Sequence, residues 1–378
     1  MPDATVDISR EAGASSKANS ARFIAFYLPQ YHPIAENDKW WGPGFTEWRN
    51  VAAARPLFRG HVQPNLPGHL GFYDLRLPEV REAQAQLAMR YGVTGFCYWH
   101  YWFAGQRLLD RPFNEVLETG TPTLPFCLAW ANESWSGTWH GKPNDILIRQ
   151  TYPGIEDFDA HFYSVLPALR DPRYIRVDGR AVFYVYRPFG LPDPSAFLAR
   201  WRELAATEGL AGMYFVGETE DARAVHEHGF DATVKTPLTN LRARTFLVKA
   251  RDFILRSARR GPAVYRYGDM VAANDFDRVL ARTEIPCVMP NWDNTPRTGR
   301  RGVVLHQPTA QAFGAMCASA VGAIASRPEQ ERLVFVKSWN EWAEGNYLEP
   351  DIRNGLGFLR ALGDVAIRHN ALGDSGPE

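Results

Sequence analysis

Two carboxylic acids three residues apart, Glu341 and Glu344, stand in Trp339-Asn340-Glu341-Trp342-Ala343-Glu344-Gly345, directly after the apolar run 333–336. Buried strands take aliphatic side chains and surface loops rarely need two tryptophans, so packing explains this segment poorly. Aromatic rings stack on the C–H faces of pyranoses, and carboxylates accept hydroxyl hydrogen bonds or move protons. The bland alternative is a solvated acidic loop over core tryptophans. An acid flanked by Trp339 and Trp342 loses solvent, which favours a raised pKa and a general-acid role. Carboxyl pairs about 5–5.5 Å apart serve retaining cleavage of glycosidic bonds and pairs roughly 6.5–9.5 Å apart inverting cleavage; an i, i+3 pair in a loop reaches either range.

Such a pair needs a frame, and the chain alternates short apolar runs with helical patterns. The runs 23–28, 93–98, 125–129, 181–186, 213–217, 232–235, 286–290 and 333–337 read as strands. Helical patterns lie at 78–91, 155–169, 194–208, 221–228, 272–281 and 309–326, with a last one from 354 to about 369. Eight strands, most of them followed by a helical pattern, predict a single-domain α/β fold, a (β/α)8 TIM barrel with long βα loops. A doubly wound sheet is the runner-up, but no G-x-G-x-x-G follows the first strand.

Polar and aromatic residues fall where strands end, and in a barrel those ends share one rim. The predicted binding residues are Tyr31 and His32 after strand one, and Trp99, His100 and Tyr101 after strand two. Trp130, Asn132, Glu133 and Trp135 follow strand three, Trp292 and Asp293 strand seven, and Asn340 and Trp342 strand eight. Glu47 and Trp48 sit in the long loop 29–77, placed either to close over a sugar or to pack a small core of their own. His32, His100 and His140 occupy rim positions, but no metal-ligand spacing such as H-E-x-x-H occurs. Asp157-Phe158-Asp159 and Asp275-Phe276-Asp277 match a D-x-D pattern, yet both open helical patterns, where acids suit the macrodipole. There is no G-x-S-x-G elbow and no P-loop.

Composition narrows the field. Hydrophobic residues make up 45% of 378, enough for a large core, and 12 Trp, 15 Tyr and 22 Phe exceed ordinary usage. With 42 basic and 42 acidic residues the net charge is zero, which argues against a nucleic-acid partner. Cys97, Cys127, Cys287 and Cys317 are scattered, without a C-x-x-C pair, so neither a disulfide framework nor a metal site is expected. Residues 1–20 lack the apolar core of a signal peptide and read as a disordered tail, with the barrel over 21–370 and a flexible end at 371–378. That reading predicts a cytoplasmic protein. Residues 241–270 form an insertion in which eight basic residues and one acid, Asp252, are interleaved with Phe and Leu between Arg242 and Arg266. Its readings are a solvated helix over the barrel, a clamp for a phosphate-bearing substrate, or a contact at 241–266 with the inner face of a membrane.

Tyr27-Leu28-Pro29-Gln30-Tyr31-His32-Pro33-Ile34, Trp40-Trp41-Gly42-Pro43-Gly44-Phe45-Thr46-Glu47-Trp48, Gly95 to Phe103 and Trp130-Ala131-Asn132-Glu133-Ser134-Trp135 resemble the WbsX-type, or glycoside hydrolase family 99-like, family. Asp293-Asn294-Thr295-Pro296-Arg297, the Trp339 to Gly345 segment and Leu348-Glu349-Pro350 continue the resemblance, which spans about residues 22–360. It implies a (β/α)8 barrel without a cofactor and a role in O-antigen-type surface-polysaccharide synthesis. The implied partners are an oligosaccharide or polysaccharide substrate, a nucleotide-sugar donor and a lipid-linked acceptor. Distant family 99 enzymes are retaining endo-acting α-mannosidases and mannanases that pass through a 1,2-anhydro sugar. Carried over, Glu341 deprotonates the substrate 2-hydroxyl and Glu344 protonates the leaving oxygen. The resulting expectation is a glycosyltransferase, with a retaining endo-acting hydrolase and a non-catalytic glycan-binding barrel as the alternatives.

Overall fold

The computed structural model describes residues 21–137, 142–239, 261–274, 276 and 278–371. The tail 1–20, His140, most of the basic insertion, Asp275, Asp277 and residues 372–378 lie outside the described residues. The strands are β1 (Arg22–Tyr27), β2 (Val93–Phe103), β3 (Phe126–Trp130), β4 (Arg180–Val185), β5 (Met213–Glu218), β6 (Ala232–Val234), β7 in two pieces (Glu284–Ile285 and Cys287–Val288) and β8 (Leu333–Val336). Each pairs in parallel with its neighbour in the chain, and β1 pairs with β8. Pro286, which has no N–H to give the ladder, divides β7. The first piece pairs with β6 (Val234 opposite Ile285) and the second with β8 (Cys287 opposite Phe335). Phe335 N–H donates to Pro286 O at 3.0 Å across the break. The sheet path therefore begins and ends on the same strand, a parallel barrel of eight strand positions.

Helices α1 (Pro78–Arg90), α2 (Arg111–Thr119), α3 (Ile155–Arg170), α4 (Pro194–Thr207), α5 (Arg223–His226), α6 (Tyr267–Ala273), α7 (Ala310–Gly322) and α8 (Gly357–Ala371) complete the (β/α)8 order. Local chemistry sets their ends. Proline opens α1 and α4 where a missing N–H costs nothing, and the Asp193 side chain caps α4 by accepting from Ala196 N–H at 2.9 Å. Gly92 leaves α1 at φ +82°, and a Cβ there would lie 2.7 Å from Ala366 in α8.

Two differences from the sequence reading have plain causes. The helix expected at 272–281 lies earlier, over Tyr267–Ala273, because the Asn274 amide donates to Met270 O and Pro237 O and closes it. Helix α2 was not expected; its buried face consists of little more than Phe113 and Val116.

Strands buried on both faces need continuous apolar runs, and the inner face here is aromatic. Phe26 (β1) stacks on Trp99 (β2) at 4.9 Å and Phe335 (β8) at 5.4 Å, and meets Tyr184 (β4) edge-on at 4.9 Å. These rings plug the barrel beneath the C-terminal rim. Truncation of Phe26 to alanine is expected to cost about 3–5 kcal/mol in chemical denaturation, as for a buried aromatic left as a cavity. A loss below about 1 kcal/mol would show that the ring stack does not close the barrel.

Candidate active site

Past Val336 the chain crosses the rim and is tied down residue by residue. Trp339 N–H donates to Phe26 O at 2.7 Å. The Asn340 carboxamide then acts as a substitute peptide, accepting from Leu28 N–H at 2.7 Å and donating to Leu28 O at 3.0 Å. Tyr31 OH donates to Asn340 O at 2.5 Å and accepts from Trp342 N–H at 3.1 Å. Trp342 stacks on Tyr347 at 3.9 Å and donates its indole N–H to Glu349 at 2.6 Å. Glu349 also accepts from Tyr73 OH and the Gln84 amide, and burial pushes its carboxyl up to about 7 against those bonds. Gly345 turns at φ +53°, where a Cβ would sit 2.7 Å from Asp293 N. That approach permits Asp293 N–H to reach Glu344 O at 2.7 Å.

The two acids face one cleft of about 340 Å³, together with Trp41, Trp99, Tyr101, Trp135, Tyr186 and Trp292. Trp99 Nε1–H and Ser338 Oγ–H both donate to Glu341 Oε1, at 2.7 and 3.2 Å, which fixes that carboxylate's orientation. Glu344 accepts from Arg297 Nη1 at 2.6 Å. Burial nevertheless pushes its carboxyl up to about 8; Arg297 pulls the other way, while the charge of Glu341 and a hydrogen bond to it add to the rise. The shift favours the protonated form of Glu344 beside Glu341. The second side of Arg297 donates from Nε to Glu47 Oε2 at 3.1 Å, and Glu47 is fully buried with its pKa raised by desolvation.

Lys337 stands on the aromatic plug, its ammonium 5.6 Å from the Phe26 and Trp99 ring centres and 5.4 Å from that of Tyr186. It donates to both oxygens of Glu218, at 3.2 and 3.1 Å, and Tyr184 OH donates to the same carboxylate at 2.8 Å. Among the described residues no group of His, Cys, Asp or Glu side chains gathers as a metal site.

Of the residues expected to bind or react, Trp99, Tyr101, Glu133, Trp135, Trp292, Glu341 and Glu344 line this cleft. The others lie behind its walls. Tyr31, Asn340 and Trp342 are buried ties, as described above. Trp48 is buried and donates to Tyr73 O, and Glu47 reaches the site only through Arg297. His32 is buried on Pro29 O at 2.9 Å. His100 bonds His161 at 2.9 Å between the two Nε2 atoms, in a pair stacked beside Trp102. Trp130 is core, and Asn132 clamps the Arg187 backbone from both sides. The Asp293 carboxylate is taken by His61, Gln63 and Thr295. Asp157 accepts from Trp102 and Asp159 pairs with Arg200, so that D-x-D is structural.

Sequence reasoning gave no role to Arg297, Lys337, Glu218 or Gln30, although Gln30 and Glu218 stand at strand ends and Arg297 in a resembling motif. The usable signal was a lysine ending an apolar strand, since buried charges need partners.

The guanidinium joins two acids, so its neighbours are expected to titrate in opposite senses when altered. Arg297→Met removes the cation that opposes Glu344's rise, so Glu344 keeps its proton to higher pH; Glu47→Gln removes a competing carboxylate and lowers the midpoint. NMR titration of carboxyl-labelled glutamate reads both, and shifts of one sign would break the assignment. Arg297→Met also leaves Glu47 buried without its cation, at a cost of about 3–5 kcal/mol.

Comparison with known proteins adds a family and a fold. The family model described as Glycosyltransferase WbsX matches residues 23–362. Two Xanthomonas campestris pv. campestris proteins, each named "Uncharacterized protein WxcX", are 43% identical over 355 and 364 residues. The match covers 92% of this chain and 50% of theirs, so the chain spans about half the length of these relatives. The endo-alpha-mannosidase of glycoside hydrolase family 99 from Bacteroides thetaiotaomicron superposes with a TM-score of 0.57 at 14% identity, over 95% of this chain and 100% of that one. A solved glycoside hydrolase-like protein gives 0.55 at 15% identity, over 95% and 97%. These two likenesses show the fold.

Proposed function

The chain belongs to the WbsX glycosyltransferase family, and from that premise we propose that it moves a glycosyl group between oxygens in bacterial-type surface-polysaccharide assembly. The observation that carries the reading is Glu344, held by Arg297, facing the same aromatic cleft as a Glu341 oriented by Trp99. In the proposed reaction Glu341 takes the proton of the 2-hydroxyl, whose oxygen attacks the anomeric carbon. Glu344 gives its proton to the departing oxygen. An acceptor hydroxyl then opens the 1,2-anhydro ring, losing its proton to Glu344, while Glu341 returns its proton to the 2-oxygen. Both acids end as they began. Arg297 holds Glu344 in place and stabilises the carboxylate it becomes midway. A nucleotide sugar is the proposed donor and a lipid-linked glycan the proposed acceptor, which puts the work at the inner face of a membrane, with 241–266 as the contact. No helix among the described residues is long and apolar enough to cross a membrane.

Hydrolysis is the second reading: the same two acids would serve it with water in place of the acceptor hydroxyl, and the fold likeness to a family 99 endo-alpha-mannosidase favours it.

Purified protein incubated with nucleotide sugars and acceptor, and separately with α-linked oligosaccharides, tells these apart. Nucleotide release that depends on acceptor supports transfer, and new reducing ends support hydrolysis. Silence in both, with glycan still bound, would mean a non-catalytic binding barrel.

Glu344→Gln is expected to lower turnover by about 10²–10⁴-fold with glycan affinity kept, and near-wild-type turnover would remove Glu344 from the mechanism. The general acid must be protonated, so kcat/KM is expected to fall as pH rises through about 8. An alkaline limb unchanged in Arg297→Met would detach that loss from Glu344.

A further inference from the structure

A second cavity of about 320 Å³ lies beside the catalytic cleft, and Trp292 lines both. Its walls come from the loop after β1 (His61, Asn65), from the 304–308 segment with His306, and from the stretch beyond β8 (Tyr347, Arg353, Asn354). Two observations suit this cavity to a ligand. The one carboxylate lining the cavity, Asp293, is already engaged by His61, Gln63 and Thr295, and Asp351 nearby is engaged by Tyr347 and Asn354. Arg353, by contrast, is exposed and makes no ion pair or hydrogen bond among the described residues. What remains available to a ligand is the Trp292 ring, amides and a guanidinium. Aromatic faces edged by amide and guanidinium donors match a pyranose ring and its hydroxyls.

We propose that this cavity is a second sugar subsite, which seats a neighbouring pyranose of the same glycan on the far side of Trp292 from Glu341 and Glu344. The proposal rests on the reading that the first cleft takes a glycan. It adds that recognition extends past the reacting sugar, with Asn65, Asn354 and Arg353 meeting hydroxyls and the indole meeting a ring face. The two sites share a wall: Asp293 bonds the His61 and Gln63 loop through its side chain and the Glu344 carbonyl through its backbone.

The test is calorimetric titration of Glu344→Gln, chosen because its turnover is expected to be suppressed. The probes are neutral α-linked oligosaccharides of one to five residues, in mannose, rhamnose, galactose, glucose and N-acetylglucosamine series. In the sugar series that binds, affinity is expected to rise at least tenfold once the glycan is long enough to pass Trp292. Adding Asn65→Ala and Arg353→Ala should abolish that rise and leave the shortest ligand unchanged; equal thermal melts show that the fold is kept. Retention of the length gain in the altered protein overturns the subsite while leaving the catalytic reading intact. A length gain lost as expected, in a chain whose unaltered form shows no turnover, keeps the subsite and removes the catalytic reading. Binding of no glycan at any length defeats both.

Discussion

A buried guanidinium must be matched by negative charge, and the way Arg297 is matched holds the rim together. Its Nε reaches Glu47 in the loop after β1, its Nη1 reaches Glu344 beyond β8, and the arginine itself lies beyond β7. Loss of a partner leaves buried charge unmatched, most of all at the fully buried Glu47, where a broken pair costs several kcal/mol. Three loops from adjacent strands thus share one electrostatic constraint. The same contact holds Glu344 where it meets Glu341, so the tie that organises the loops also moderates the proton affinity of the acid.

Around that tie, much of the Trp339 to Gly345 motif is architecture. Asn340 and Tyr31 join the β1 and β8 ends as a peptide would, and Glu349 gathers Tyr73, Gln84 and Trp342. Only Glu341 and Glu344 of that segment reach the cleft. Lone polar side chains this deep would be destabilising; fully bonded ones specify a single geometry.

The barrel was legible because its strands are apolar on both faces and its helices are punctuated by proline and glycine. All eight strands lie where the apolar runs stand. The site was legible as a set of strand ends but not in its division of labour. Tyr31, Asn340 and Trp342 carry the residue types of a sugar site, and nothing in spacing tells whether a side chain turns to the cleft or to the adjoining loop. Arg297 was missed because its meaning depends on Glu47, 250 residues away. The helix at 272–281 was misplaced because an asparagine that ends a helix looks, in sequence, like one inside it.

The buried imidazole pair of His100 and His161 gives the molecule an acid limit. Burial drives both far below the usual histidine value, and His161 is lowered further by His100 and Arg107. The unfolded chain therefore takes up protons below about pH 6.5 that the folded barrel refuses, and stability falls with pH from that point. Glu344 sets the opposite limit, since it gives up its proton near pH 8. One edge of the working range is thermodynamic and the other is chemical, and they are set by residues on different sides of the barrel wall. Melting temperature should decline below about pH 6.5 while turnover declines above about pH 8, leaving a near-neutral band in which the protein is both stable and correctly protonated.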